Sequence, residues 1–155
     1  MKRLGVTAYS LLCGWFLLGY LHTRLTVPVK ITEFGVGTVL LFFLLLGLFG
    51  YVRRWKYNDL SALSVVVIWG VDQYFEHWQP LIWGAPQARV DRYYQYFKNT
   101  IRIFPPNPHR IVPDLFHTVI GVLVLICVFL LLHNIIALLR ARPAAGVSRS
   151  GGTQG

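Results

Sequence analysis

Six carboxylates and five histidines are the chain's main stock of residues suited to acid–base or metal chemistry, beside two cysteines. Asp72, Glu76 and His77 fall in one stretch, and His109, Asp114 and His117 in another. Asp72 and Glu76 are spaced i, i+4, and Asp114 and His117 i, i+3, so on helices each pair shares a face. Imidazole and carboxylate together support three kinds of chemistry. They can ligate a borderline metal ion. They can pass a proton, with Asp72 as the buried acid or base. They can line a pocket for a lipid headgroup or for a basic residue of another subunit. A plainer role stands beside these: local ion pairing with Arg89, Arg92 or Arg110 near a membrane interface.

No His-x-x-x-His or Cys-x-x-Cys spacing occurs, so neither a metal ion nor another cofactor is expected. His133 lies sixteen residues beyond His117, about 24 Å along a straight helix, and reads as a lone interfacial histidine. A phosphate loop, a nucleophile elbow and a Ser/His/Asp set in recognisable context are all missing, and no catalytic residue is assigned.

These residues need a scaffold, and composition says what kind. The chain is 55% apolar and only 14% charged, with a mean hydropathy of +0.52. That leaves too little polar surface to cover a core of this size in water. The expected fold is all-α: an integral membrane bundle of four transmembrane helices and one interfacial amphipathic helix. Residues 1–142 form a single domain, and residues 143–155 a disordered Gly/Ser/Ala tail. Crossings are expected at 4–21, 34–52, 60–79 and 115–139, each near the ~20 residues that traverse a hydrocarbon core. Gly14, Gly19, Gly47 and Gly50 are expected to let helices approach.

The third run is the weak one. Apolar from residue 60 to 71, it then carries Asp72, Gln73, Glu76, His77 and Gln79 before Pro80. A crossing from residue 60 places Asp72 about 18 Å in, and the helix is expected to end near Pro80. With four crossings, eight basic residues stand on the side of both termini and seven on the other. With three, the tally is ten against five, so charge bias alone favours three. Four is the reading adopted here, because residues 60–71 are too apolar for a cytoplasmic loop. The aromatic-flanked cations Arg53, Arg54 and Lys56 serve as topology anchors on the cytoplasmic side. Four crossings also bring Asp72, Glu76, His77, Asp114 and His117 to one membrane face, joined by His22 and Glu33 from the first loop.

Residues 89–104 read as the interfacial helix. Val90, Tyr93, Tyr94, Phe97, Ile101 and Phe104 recur at helical spacing, opposite Arg89, Arg92 and Arg102. Arg89, Arg92, Tyr93, Tyr94, Phe97 and Arg102 are its candidate lipid contacts. The alternative is a helix packed on the protein's own loops.

The formal charge of +9 does not indicate nucleic-acid binding, because the basic residues flank apolar runs and form no single basic face. Cys13 and Cys127 lie inside apolar runs and read as small packed hydrophobes. The expected role is a non-enzymatic accessory, assembly or stabilising subunit of a larger membrane complex. One alternative is an enzyme or proton/ion conductor built on Asp72, Glu76, His77 and His117. Another is a lipid-sensing or membrane-shaping protein working through residues 89–104. The expected partners are the bilayer and a larger membrane protein, with self-association open. The endoplasmic reticulum is the default location, and the plasma membrane the alternative.

Overall fold

The computed structural model of the protein describes residues 2–26 and 35–141. Glu33, the side chain of His22 and the tail 143–155 lie outside what is described. Every named element is helical. These are α1 (Lys2–Thr26), α2 (Val36–Val52), α3 (Asn58–Gln73), a π-helical turn (Tyr74–Trp78), α4 (Gln79–Trp83), α5 (Gln87–Tyr96) and α6 (Leu115–Arg140).

The long helices alternate in direction, and the contacts show the register. Tyr9 Oη donates to Leu44 O at 3.1 Å, and Tyr20 Oη lies 2.9 Å from Thr38 Oγ1, so α1 and α2 are antiparallel. Asn58 Nδ2 donates to Gly47 O at 3.1 Å, turning α3 back along α2. Trp15 Nε1 donates to Phe116 O at 3.3 Å, and Gly5 faces Asn134, so α6 runs antiparallel to α1. Gly70 faces Val124 and Trp78 covers Gly121, which sets α6 antiparallel to α3 as well. The result is an up-down-up-down ring in which α1 and α3 each touch both α2 and α6. Leu12, Leu44, Val66, Trp69, Ile120, Val124 and Leu131 fill its core. Cys13 and Cys127 lie there too as buried free thiols, in keeping with the hydrophobe reading.

Gly47 takes the Tyr9 hydroxyl where a Cβ would stand, Gly19 takes the Phe116 ring, and Gly50 takes Asn58. Gly14 differs from expectation: nothing approaches its missing Cβ, so it serves no helix contact.

Two helices are long and apolar enough to cross a membrane, α1 over Arg3–Leu21 and α6 over Leu115–Arg140. α2 is apolar but shorter, at 17 residues. The third run departs from expectation at Pro80, where the chain stays helical as far as Trp83. The π turn accommodates it. Gln79 N–H reaches back five residues to Tyr74 O, so one extra residue is taken into the coil just ahead of a proline that brings no N–H of its own.

The interfacial helix is also shorter than expected. α5 ends at Tyr96, and residues 97–104 are not helical. Three donors compete for the Phe97 carbonyl: Thr100 N at 3.3 Å, Thr100 Oγ1 at 2.9 Å and Arg102 Nη2 at 2.9 Å. That carbonyl is therefore spent on a turn and cannot support a further helical turn. Ile101 and Phe104, expected on the helix face, lie in the exposed loop.

Candidate functional site

At the end of the bundle where the π turn meets the start of α6, three of the five expected cluster residues come together. Asp114 is the N-cap of α6, and its Oδ1 accepts from His117 N–H at 2.9 Å. The same oxygen lies 2.7 Å from His117 Nδ1. His117 in turn lies against His77, with ring centroids 4.0 Å apart and planes 32° from parallel. Asp114 is fully buried, and His77 nearly so.

Asp72 and Glu76 are not part of this group. The buried edge of the third helix runs through Ala62, Val66, Trp69, Gln73 and His77. Asp72 and Glu76 sit one position off that seam. Glu76 is exposed and pairs with Arg89, its Oε2 lying 3.0 Å from Arg89 Nη2. Residue type and i, i+4 spacing had selected Asp72 and Glu76. The seam, traced from its apolar members, selects Gln73 and His77.

α5 closes the site from outside. Tyr93 is buried, edge-on to His77 at 5.8 Å, and Phe97 stands edge-on to His117 at 5.0 Å. Val90, Tyr93 and Ile111 form a small second core beneath α5. The Tyr94 hydroxyl ties the following loop, donating to Arg110 O at 2.9 Å and accepting from Asn107 N–H at 3.0 Å and Val112 N–H at 3.2 Å. Arg89 Nη2 donates to Phe75 O at 3.0 Å, and the Arg102 guanidinium lies 4.7 Å from the Tyr94 ring centre. Of the candidate lipid contacts on this helix, Tyr93, Tyr94, Phe97, Arg89 and Arg102 thus face or brace the protein itself, while Arg92 is exposed.

Electrostatics follow from the geometry. Burial pushes the Asp114 carboxyl up, but the hydrogen bonds and charge of His117 outweigh it and hold the group below the usual carboxylate range. Burial drives the Tyr93 phenol well above its ordinary value. Among the described residues, no group of three or more His, Cys, Asp or Glu side chains is arranged to hold a metal ion. What the site offers chemically is an oriented imidazole, fixed by a carboxylate, with a second imidazole tilted against it.

No family model, curated protein or solved structure matches this chain.

Asn58, Asp59, Gln73 and Asn134 are also buried polar residues, none of them singled out from the sequence. Gln73 sits on the seam one turn before His77, and Asn134 lies against Gly5 near the far end of α6. A periodicity count from the apolar core positions would have found both.

Among the topology anchors, Arg53, Arg54 and Lys56 all sit in the exposed turn between α2 and α3. Arg53 lies 5.6 Å from the Phe49 ring centre and Lys56 Nζ 5.2 Å from that of Tyr57.

Proposed function

We propose that the protein is a four-span integral membrane protein and serves as a non-enzymatic accessory, assembly or stabilising subunit of a larger membrane complex. The observation that carries this reading is the outer surface of the bundle. Each long helix presents large apolar side chains outward: Leu11 and Leu18 on α1, Phe42 on α2, Ile68 and Val71 on α3, Leu125 and Phe129 on α6. An apolar surface on every side of a bundle fits lipid better than water. Ser61 and Ser64, which face outward within this belt, donate to Tyr57 O and Leu60 O one turn back, as hydroxyls must where no water is at hand. α2 rises about 26 Å, within the range that local bilayer thinning accommodates.

The accessory role is supported by how the polar groups are used. Asp114 caps a helix, Tyr94 ties a loop, and Arg110 Nη1 donates to Leu81 O at 3.2 Å. These groups are occupied in holding the bundle end together. In mild detergent the full chain should co-purify with a larger membrane protein at fixed stoichiometry. A monodisperse protein carrying no such partner would sink the reading.

The Asp114–His117 contact, with His77 beside it, favours a second reading, a site that takes up or relays a proton. Here His77→Gln should abolish proton flux in vesicles while insertion is unchanged. Equal flux in both proteins, or none in either, removes this alternative.

A further inference from the structure

We infer that the turn between α2 and α3 is a binding site for an anionic phospholipid headgroup, walled by Arg53, Arg54 and Lys56. The inference rests on the four-span reading above. It begins from a backbone outlier: Arg54 has φ 55°, the left-handed region that disfavours a side chain. The reason is the way α2 ends. Trp55 N–H bonds to Gly50 O at 3.0 Å and Arg54 N–H to Tyr51 O at 3.2 Å. This is the paired closure that places one left-handed residue after a helix, and glycine is the usual occupant. Here the chain puts arginine at that position and retains the strain. A strained residue held in place by its surroundings points to a use for its side chain.

The surroundings do hold it. Asn58, the first residue of α3, donates from Nδ2 to Gly47 O and sits against Gly50, so the turn is clamped on α2. Arg53, Arg54, Trp55, Lys56 and Tyr57 are all exposed on this clamp. Two of the three cations lie against aromatic rings, Arg53 on Phe49 and Lys56 on Tyr57. Rings of this kind lodge at headgroup depth and hold neighbouring cations there.

Charge completes the case. Among the described residues the ion pairs are Arg89–Glu76 and His117–Asp114, both at the opposite end. Arg3 and Arg140, exposed on the neighbouring ends of α1 and α6, extend the positive surface. Among the described residues the acid nearest in sequence, Asp59, is buried. Three unneutralised cations on a fixed turn, at the level of an aromatic belt, suit a phosphodiester with a further negative charge. Phosphatidylserine is the probe chosen here.

The test uses the full chain in vesicles of phosphatidylcholine mixed with phosphatidylserine, with retained lipid read by native mass spectrometry. The wild-type protein should retain phosphatidylserine preferentially. Each basic residue near a membrane surface gives about a fivefold preference, so R53Q/R54Q/K56Q should lose about a hundredfold. Arg54→Gly separates binding from folding. It should lose about fivefold in preference, while melting in uncharged detergent no lower than the wild type. A wild-type protein with no lipid preference overturns the inference, as does Arg54→Gly with preference intact. So does inorganic phosphate that reproduces the lipid's stabilisation, which would mark a site for a soluble anion. If alkaline carbonate strips the protein from vesicles of either composition, the membrane reading itself has failed and takes this inference with it. An inserted protein indifferent to lipid charge overturns the inference alone.

Discussion

After α2 and after α4 one residue takes a positive φ: Arg54 at 55°, and Gly84 at 84° with an extended ψ of 173° that only glycine adopts readily. At Gly84 this happens against the protein. A Cβ there would stand 3.2 Å from His109 O, and Ala85 N–H bonds to that same carbonyl at 3.3 Å. Conformation and space both exclude a side chain. At Arg54 it happens in an exposed turn, where only conformation opposes one. The two ends of the bundle differ in the same sense throughout. One is folded shut, with α5 over the two histidines and an interior carboxylate. The other presents Arg53, Arg54 and Lys56, which pair with no carboxylate among the described residues. An end that is filled with its own side chains holds the bundle together; an end that leaves its charges unpaired is made to meet its surroundings.

Five substitutions at four positions test that contrast, and Asp114→Ala should act most strongly. It removes the cap of α6 and the partner of His117 together, about 3 kcal/mol of stability by detergent-solubilised thermal melting. Asp114→Asn keeps an acceptor for His117 N–H and should recover about 1 kcal/mol of this. The pH dependence follows from the depressed carboxyl of Asp114. Its contribution is complete above the unfolded value of about 4 and is lost as pH falls through the lower folded value. Asp114→Ala should therefore show a flatter acid limb than the wild type. An unchanged melting temperature would mean that the closed end contributes little.

Gly84→Ala and Arg54→Gly should move stability in opposite directions. The first forces a Cβ onto a positive-φ backbone and toward a carbonyl, at about 2 kcal/mol. The second relieves the positive-φ strain of Arg54 in an open turn and should gain about 1 kcal/mol in neutral detergent. Shifts of the same sign would erase the distinction between the ends. Glu76→Gln is the smallest change. The Arg89–Glu76 pair is largely exposed, so its loss should cost under about 0.5 kcal/mol. A larger loss, measured the same way, would make the pair a structural latch on α5.

Much of the scaffold could be read from hydropathy alone. α6 and α2 are predominantly apolar, uncharged runs between basic or acidic residues, and their ends fall within a few residues of the spans expected. Asp114 caps the start of α6, where a carboxylate after Pro113 suits the positive end of the helix dipole. The third helix resisted because a π turn depends on where a carbonyl finds its N–H, which no hydropathy window registers. α5 was overextended because the periodicity of apolar residues continues past Tyr96, while the backbone leaves the helix at Phe97 for side-chain donors three and five residues on. The site was half legible. His77, Asp114 and His117 converge as the antiparallel arrangement requires. Asp72 and Glu76 were chosen for chemical type, yet a shift of one position on a helix turns a residue about 100°, enough to put Glu76 outside and His77 in.

The ring of helices closes between α1 and α6, the two that are farthest apart in the chain, and this has a consequence in time. Trp15 waits for Phe116, a partner 101 residues later. At synthesis rates of roughly 5–20 residues per second, α1 spends about 5–20 s without its closing neighbour. During that interval the notch at Gly19, later filled by the Phe116 ring, is open to whatever accompanies the nascent chain. Any factor that guards this protein during its birth has that interval, and that face of the first helix, in which to act.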